Sequence, residues 1–200
     1  MSTLVELSQE ISGCQKCPLA KGRLKTVPGE GPSDARILFI GEAPGHNENQ
    51  QGRPFVGAAG QLLEELLASI GLERSDVFIT NVVKCRPPGN RDPQPVEIDS
   101  CGDYLDRQIK AIAPRVIVTL GRFSMARFFP RETISRIHGV GRQINGRLVF
   151  PMYHPAAALH QPSLRAALLE DMQKLRLALE EAERSRPVET SPPPTQLSLF

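Results

Sequence analysis

Apolar residues along the chain gather into short dense runs that stop abruptly at glycine, proline or a single polar side chain. Ile37-Leu38-Phe39-Ile40 ends at Gly41-Glu42-Ala43-Pro44-Gly45. Consecutive apolar residues just ahead of turn residues predict a buried strand. Val77-Phe78-Ile79-Thr80 runs into Asn81 in the same way, Val116-Ile117-Val118-Thr119-Leu120 into Gly121, and Leu148-Val149-Phe150-Pro151-Met152-Tyr153 into His154. Between these runs the spacing is helical. Leu4, Leu7 and Ile11 mark a short opening helix with Ser2 or Thr3 as its cap and Gly13 at its end. Further helices are predicted over residues 57–70, stopped by Gly71; 96–113, between Pro95 and Pro114; 122–129; and 163–183, with Leu164, Leu168, Leu175 and Leu179 on its apolar face. Alternating strands and helices imply an α/β fold, a three-layer α/β/α sandwich around a mostly parallel four-stranded central sheet.

The intervening segments read as loops. Residues 18–34 carry Pro18, Gly22, Pro28, Gly29, Gly31 and Pro32. Lys84-Cys85-Arg86-Pro87-Pro88-Gly89-Asn90-Arg91-Asp92-Pro93 is predicted as a rigid basic loop, and a further loop with His138, Gly139 and Gly141 precedes the last strand. With 200 residues, one folded domain over 1–183 is expected. Periodicity then vanishes into a Pro-rich linker over 184–195, and the chain closes on Gln196-Leu197-Ser198-Leu199-Phe200, three large apolar residues on a tail with no core to join.

Net charge is only +2, but seven Arg and a single acid, Glu132, fall between Arg115 and Arg147. Such a bias suits phosphate backbones; a solvated surface whose acids lie elsewhere in the fold accounts for it equally well. There is no signal-like apolar segment and no run of membrane-spanning length, so a cytoplasmic, nucleoid-associated monomer with no membrane partner is expected. In a reducing compartment four cysteines read as metal ligands or buried thiols rather than disulfides. Cys14 and Cys17 form a C-x-x-C pair, joined by Cys85 and Cys101, and spacing alone does not choose zinc from an iron–sulfur cluster.

Ligands of open α/β sheets sit beyond the carboxyl ends of the strands. Three strand ends thus deliver a carboxylate (Glu42), an amide (Asn81) and an imidazole (His154) to one edge of the sheet, which points to catalysis.

Taken in order, Gly41-Glu42-Ala43-Pro44-Gly45, Gly52-Arg53-Pro54-Phe55-Val56-Gly57, Thr80-Asn81-Val82-Val83-Lys84-Cys85 and His154-Pro155-Ala156-Ala157 resemble the motifs of family 4 uracil-DNA glycosylases, the iron–sulfur branch of that superfamily. The resemblance runs from about Cys14 to Leu179. It implies hydrolysis of the N-glycosidic bond of a uracil flipped out of DNA, and a 4Fe-4S cluster on Cys14, Cys17, Cys85 and Cys101. It also implies a uracil site of Gly41, Glu42, Ala43, Phe55, Asn81 and His154. Phe55, a core residue by composition alone, becomes the stacking platform. Asn81 presents a donor and an acceptor side by side, matching uracil O4 and N3–H where cytosine offers the reverse. His154 donates to O2 as charge builds on the leaving base.

The chain departs from the best-known uracil-DNA glycosylases, whose corresponding motif carries a water-positioning aspartate and a methyl-excluding tyrosine. Ala43 and Gly45 stand in those places, so water handling falls to Glu42 or to backbone carbonyls. Glu48, with Gly45, is expected to gate the pocket against the 5-methyl of thymine. Leu159 is either a wedge for the space left by the flipped base or the first apolar residue under the closing helix. The terminal Gln196, Leu197, Leu199 and Phe200 resemble the peptide by which bacterial repair proteins bind the sliding clamp. Two alternatives to a monofunctional glycosylase are a branch that traps its abasic product on a histidine in an inserted basic loop, and a non-catalytic uracil-binding module. Residues 86–95 show neither that insertion nor a histidine.

Overall fold

The computed structural model describes residues 3–184; Arg184, where the linker is expected to begin, still closes the last helix, and the rest of that linker and the Gln196–Phe200 peptide lie outside the described residues. The strands are β1 (Ile37–Gly41), β2 (Phe78–Asn81), β3 (Val116–Leu120), β4 (Arg142–Ile144) and β5 (Arg147–Met152), in the order β2-β1-β3-β5-β4. All pairs are parallel except β4 with β5. The sheet therefore has five strands rather than the expected four. The extra one is an exposed edge strand, Arg142-Gln143-Ile144, whose polar residues show no alternation to read. It turns back into β5 through Asn145 and Gly146, both at positive φ (50° and 76°), the geometry a two-residue Asn-Gly hairpin favours. Charged residues on such an edge also discourage pairing with other chains.

The helices are α1 (Leu4–Ser12), α2 (His46–Gln51), α3 (Ala58–Ala68), α4 (Pro95–Ile112), α5 (Arg122–Ala126), α6 (Ile134–Ile137), α7 (Pro155–Ala158) and α8 (Pro162–Arg184). Thr3 caps α1 through a reciprocal bond with Glu6, which settles the cap in its favour. The short helices α2, α6 and α7 fall where the sequence reads as loop, because one or two turns bury too few residues to set a period. Successive strand residues face opposite layers: Leu38, Ile40, Ile117 and Val149 pack with Leu7, Ile11, Tyr104 and Leu105, whereas Ile37, Phe39, Val118 and Phe150 pack with Leu63, Leu67, Leu168 and Leu175. Helices thus cover both faces, as the α/β/α reading requires. At the far edge, His138 Nδ1 lies 2.8 Å from Asp171 Oδ2 of α8 and its ring packs 4.5 Å from Tyr153, bracing the segment that carries His154.

Lys84 corrects the reading of the basic loop. It is buried, and its ammonium donates to Thr80 Oγ1 (2.7 Å), the Asn81 carbonyl (2.7 Å) and Gln108 Oε1 (2.6 Å). All three donors are satisfied, so this charge braces the end of β2 instead of facing solvent.

Candidate active site

One cavity of about 420 Å³ opens at the carboxyl ends of β1, β2 and β5, within the range of small-molecule sites. Glu42, Ala43, Gly45, Glu48, Phe55, Asn81, His154 and Leu159 all line it. The three strand-end groups therefore meet around a single pocket. Gly41 does not line it but lies behind, where a Cβ would stand 2.4 Å from Asn81 Oδ1 and 2.7 Å from the Phe55 ring. The absent side chain lets the amide and the aromatic ring share one wall.

Each polar group is set by its local chain. Asn81 ends β2, is buried, and its Oδ1 has no hydrogen-bond partner. A buried acceptor without a donor costs about 1–3 kcal/mol, so it is ready for a ligand N–H. His154 is the N-cap of α7, and its Nδ1 accepts the Ala156 N–H at 3.1 Å. Burial lowers its pKa to about 4, only partly opposed by Glu48. The ring is therefore neutral at physiological pH, with its proton on Nε2. Burial, with Asp92 nearby and against the pull of Arg122, raises the Glu42 pKa to about 7. A carboxyl balanced there can take up a proton at neutral pH.

Phe55 is buried at φ 52°, a region that costs a bulky residue about 1–3 kcal/mol, and its ring lies 5.6 Å from the His154 ring at an interplanar angle of 23°. Glu48 Oε1 accepts the Val56 and Gly57 N–H groups, both at 2.9 Å, and its Oε2 accepts the Gly45 N–H at 3.1 Å. A Cβ on Gly45 would meet that carboxylate at 2.7 Å. Glu48 thus joins the two loops that form the pocket wall. Leu159 is 44% exposed on the rim and lies outside both cores.

Among the lining residues that sequence reasoning missed are four polar ones, His46 and Asn47 of α2 and Asn90 and Arg91 of the basic loop. Asn90 at φ 55° follows Gly89 in a tight turn, and the Pro-Pro-Gly-Asn run is the signal that could have placed it. Arg91 is held by two bonds to the buried Glu97, at 2.9 and 2.6 Å.

Cys14, Cys17, Cys85 and Cys101 line a second, small cavity together with Lys16, Arg23, Lys84 and Tyr104. Among the described residues no three His, Cys, Asp or Glu side chains are disposed to hold a single metal ion. The surroundings suit anionic sulfur nonetheless. Arg23 Nη1 donates to Cys85 Sγ at 3.4 Å, the Lys16 N–H approaches Cys14 Sγ at 3.5 Å, and no carboxylate lines the cavity. The fully buried Lys84 ammonium bonds only neutral oxygens, so negative sulfur is the counter-charge at hand. Four thiolates around a polynuclear centre fit this donor set.

A mostly parallel sheet carries at its carboxyl edge a small, largely apolar pocket lined by one aromatic ring, one buried amide and one neutral imidazole, an arrangement with room for a single planar base. Residues 28–178 match the family model described as Uracil DNA glycosylase superfamily, and the chain belongs to that superfamily. It is 50% identical over 186 residues to a type-4 uracil-DNA glycosylase of Sulfurisphaera tokodaii, covering 88% of this chain and 84% of that protein. The type-4 uracil-DNA glycosylase of Saccharolobus solfataricus is 51% identical over 192 residues (90% and 88% covered), and that of Archaeoglobus fulgidus 52% over 184 residues (88% and 92%).

Proposed function

We propose that the protein is a monofunctional uracil-DNA glycosylase of the type-4 branch, which hydrolyses the bond between uracil N1 and deoxyribose C1′ and leaves an abasic site. The buried, unpartnered Asn81 Oδ1 carries this reading, because it needs a donor, which uracil N3–H supplies and cytosine N3 does not. The Asn81 amide N–H meets uracil O4 beside it, and Phe55 stacks on the ring. As the C1′–N1 bond breaks, its electron pair moves onto the base, and neutral His154 donates from Nε2 to uracil O2 without first losing a proton. Water attacks C1′ and Glu42 accepts its proton. Gly45 and Glu48 close the wall against a 5-methyl group, and Leu159 enters the gap left in the duplex.

Cys14, Cys17, Cys85 and Cys101 hold a 4Fe-4S cluster, which when bound cross-links the start of the chain to α4 and to the loop after β2. Hydrolysis itself runs through the side chains of the other cavity. The terminal Gln196, Leu197, Leu199 and Phe200 dock on a sliding clamp at the end of the linker, raising enzyme concentration near new DNA.

The test is single-turnover release of uracil from a short oligonucleotide, read by alkaline cleavage, with a visible spectrum of the same sample. Exchanging His154→Gln should slow excision by ~10²–10³-fold with binding of uracil-containing DNA retained. Undiminished excision would remove the catalytic assignment.

A further inference from the structure

Phe55 stands in a conformation that its own backbone disfavours, and part of what holds it there lies outside the cavity. Its carbonyl oxygen accepts from Arg74 Nη1 at 3.0 Å, and the Pro54 carbonyl accepts from Arg74 Nη2. Arg74 reaches this spot from the single turn Arg74–Asp76 that leads into β2, behind the platform, and its side chain is only 17% exposed. Two acids flank it. Glu30 lies 3.6 Å from its Nε and makes a two-point pair with Arg53 at 2.7 Å for both bonds; Glu64 lies 3.4 Å from its Nη1. Beneath, a Cβ on Gly60 would stand 1.9 Å from the Phe55 oxygen, so α3 presses its first turn directly against that carbonyl.

We propose that Arg74 is a positioning residue for base stacking: its guanidinium, steered by Glu30 and Arg53, grips two successive carbonyls and so presets the Phe55 ring. This rests on the stacking role given to Phe55 above. A planar fork can reach two carbonyls and a carboxylate together, which a lysine ammonium cannot do with the same geometry. Its hydrogen bonds end on the 54–55 segment and on Glu64, with Glu30 a charge partner only, so the energy of the grip is delivered to that segment. The Arg53 of the Gly-Arg-Pro-Phe-Val-Gly motif then has a role as well, since it holds Glu30 in place.

The experiment uses the full-length protein with Arg74→Met and Arg74→Lys, each made in the wild-type and Phe55→Ala backgrounds. Readouts are kcat and KM for excision from a single-stranded uracil oligonucleotide, inhibition by free uracil, and affinity for uracil-free DNA. In the wild-type background Arg74→Met should lower kcat/KM ~10-fold and weaken uracil inhibition by a similar factor, with uracil-free DNA bound as before and Arg74→Lys recovering part of the loss. In the Phe55→Ala background the same change should cost less than about twofold, since the ring it positions is gone. An equal loss in both backgrounds, or unchanged uracil inhibition, would overturn the proposal. Should Arg74→Met not fold, Glu30→Gln serves in its place under the same criterion, with a smaller effect expected only where Phe55 is present. Full activity of Phe55→Ala alone would instead remove the stacking role itself.

Discussion

Placing a methyl group on Gly41 isolates the pocket from the fold. Gly41 closes β1 in ordinary strand conformation, paired with Asn81 of β2, so alanine strains no backbone. The new Cβ would stand 2.4 Å from Asn81 Oδ1 and 2.7 Å from the Cε2 and Cζ atoms of Phe55, against ordinary contacts of 3.4–4 Å. The amide oxygen must retreat by about 1 Å and the ring edge by about 0.7 Å, the differences between those distances and the lower contact limit. Both groups are buried but border the cavity, so each retreats into the space the base would occupy. A misplacement of about 1 Å in a positioning group costs on the order of 10²-fold in rate, or about 2.7 kcal/mol in the barrier. Overpacking of this kind destabilises by ~1–3 kcal/mol, which at ~2–4 °C per kcal/mol lowers Tm by roughly 2–12 °C. The assay is kcat/KM for uracil release by Gly41→Ala, with Tm and affinity for uracil-free DNA measured on the same protein. Activity within about threefold of wild type would show that Asn81 and Phe55 do not act from the positions described.

Three other outcomes follow from the same geometry. The base role proposed for Glu42 requires its ionised form and its pKa lies at about 7, so kcat/KM should rise with pH through about 7 and then level off, while His154, neutral above about 4, adds no limb there. Glu42→Gln should be slow and flat across that range; an acid limb with an unmoved midpoint in this variant would assign the titration to another group. Leu159→Ala should lose about tenfold more activity on duplex than on single-stranded substrate, because only the duplex requires the vacated space to be filled; an unchanged ratio of the two rates would return Leu159 to a packing role. Deleting residues 196–200 should abolish capture by immobilised sliding clamp while leaving excision from short oligonucleotides intact, and retained capture would refute the peptide assignment.

The strands and the longer helices were legible because burial imposes a period. β1, β2, β3 and β5 are wholly or largely buried on both faces, so their residues had to be apolar in succession. β4 escaped for the opposite reason: exposed on the edge, it carries no such constraint. The Arg-rich stretch left two readings open in one dimension. Arg122 pairs with Asp92 and Arg127 with Asp106, acids 30 and 21 residues away in sequence that neutralise part of the bias, as the solvated-surface reading expects. Lys84 opens the predicted basic loop yet is fully buried against three oxygens, a burial that charge alone does not announce.

The polar side chains that meet at the pocket were readable because strand ends are both a pattern and a place. An apolar run fixes where the chain reaches the sheet edge, and the first polar residue after it must then face whatever lies beyond. That reasoning placed Glu42, Asn81 and His154 at one pocket, but it could not find the residues that brace the pocket's loops. Glu48 fixes Val56, Gly57 and Gly45 through backbone N–H groups, which any sequence offers, and Arg74 grips carbonyls 19 and 20 residues before it. Bonds to the main chain leave no mark on the residue they reach, so only the charged partner is visible in the sequence, and its target is not. The consequence is specific to a pocket like this one: the polar groups that line it can be named from strand ends, whereas the side chains bonded to the main chain around Phe55 emerge only when its carbonyls are traced to their donors.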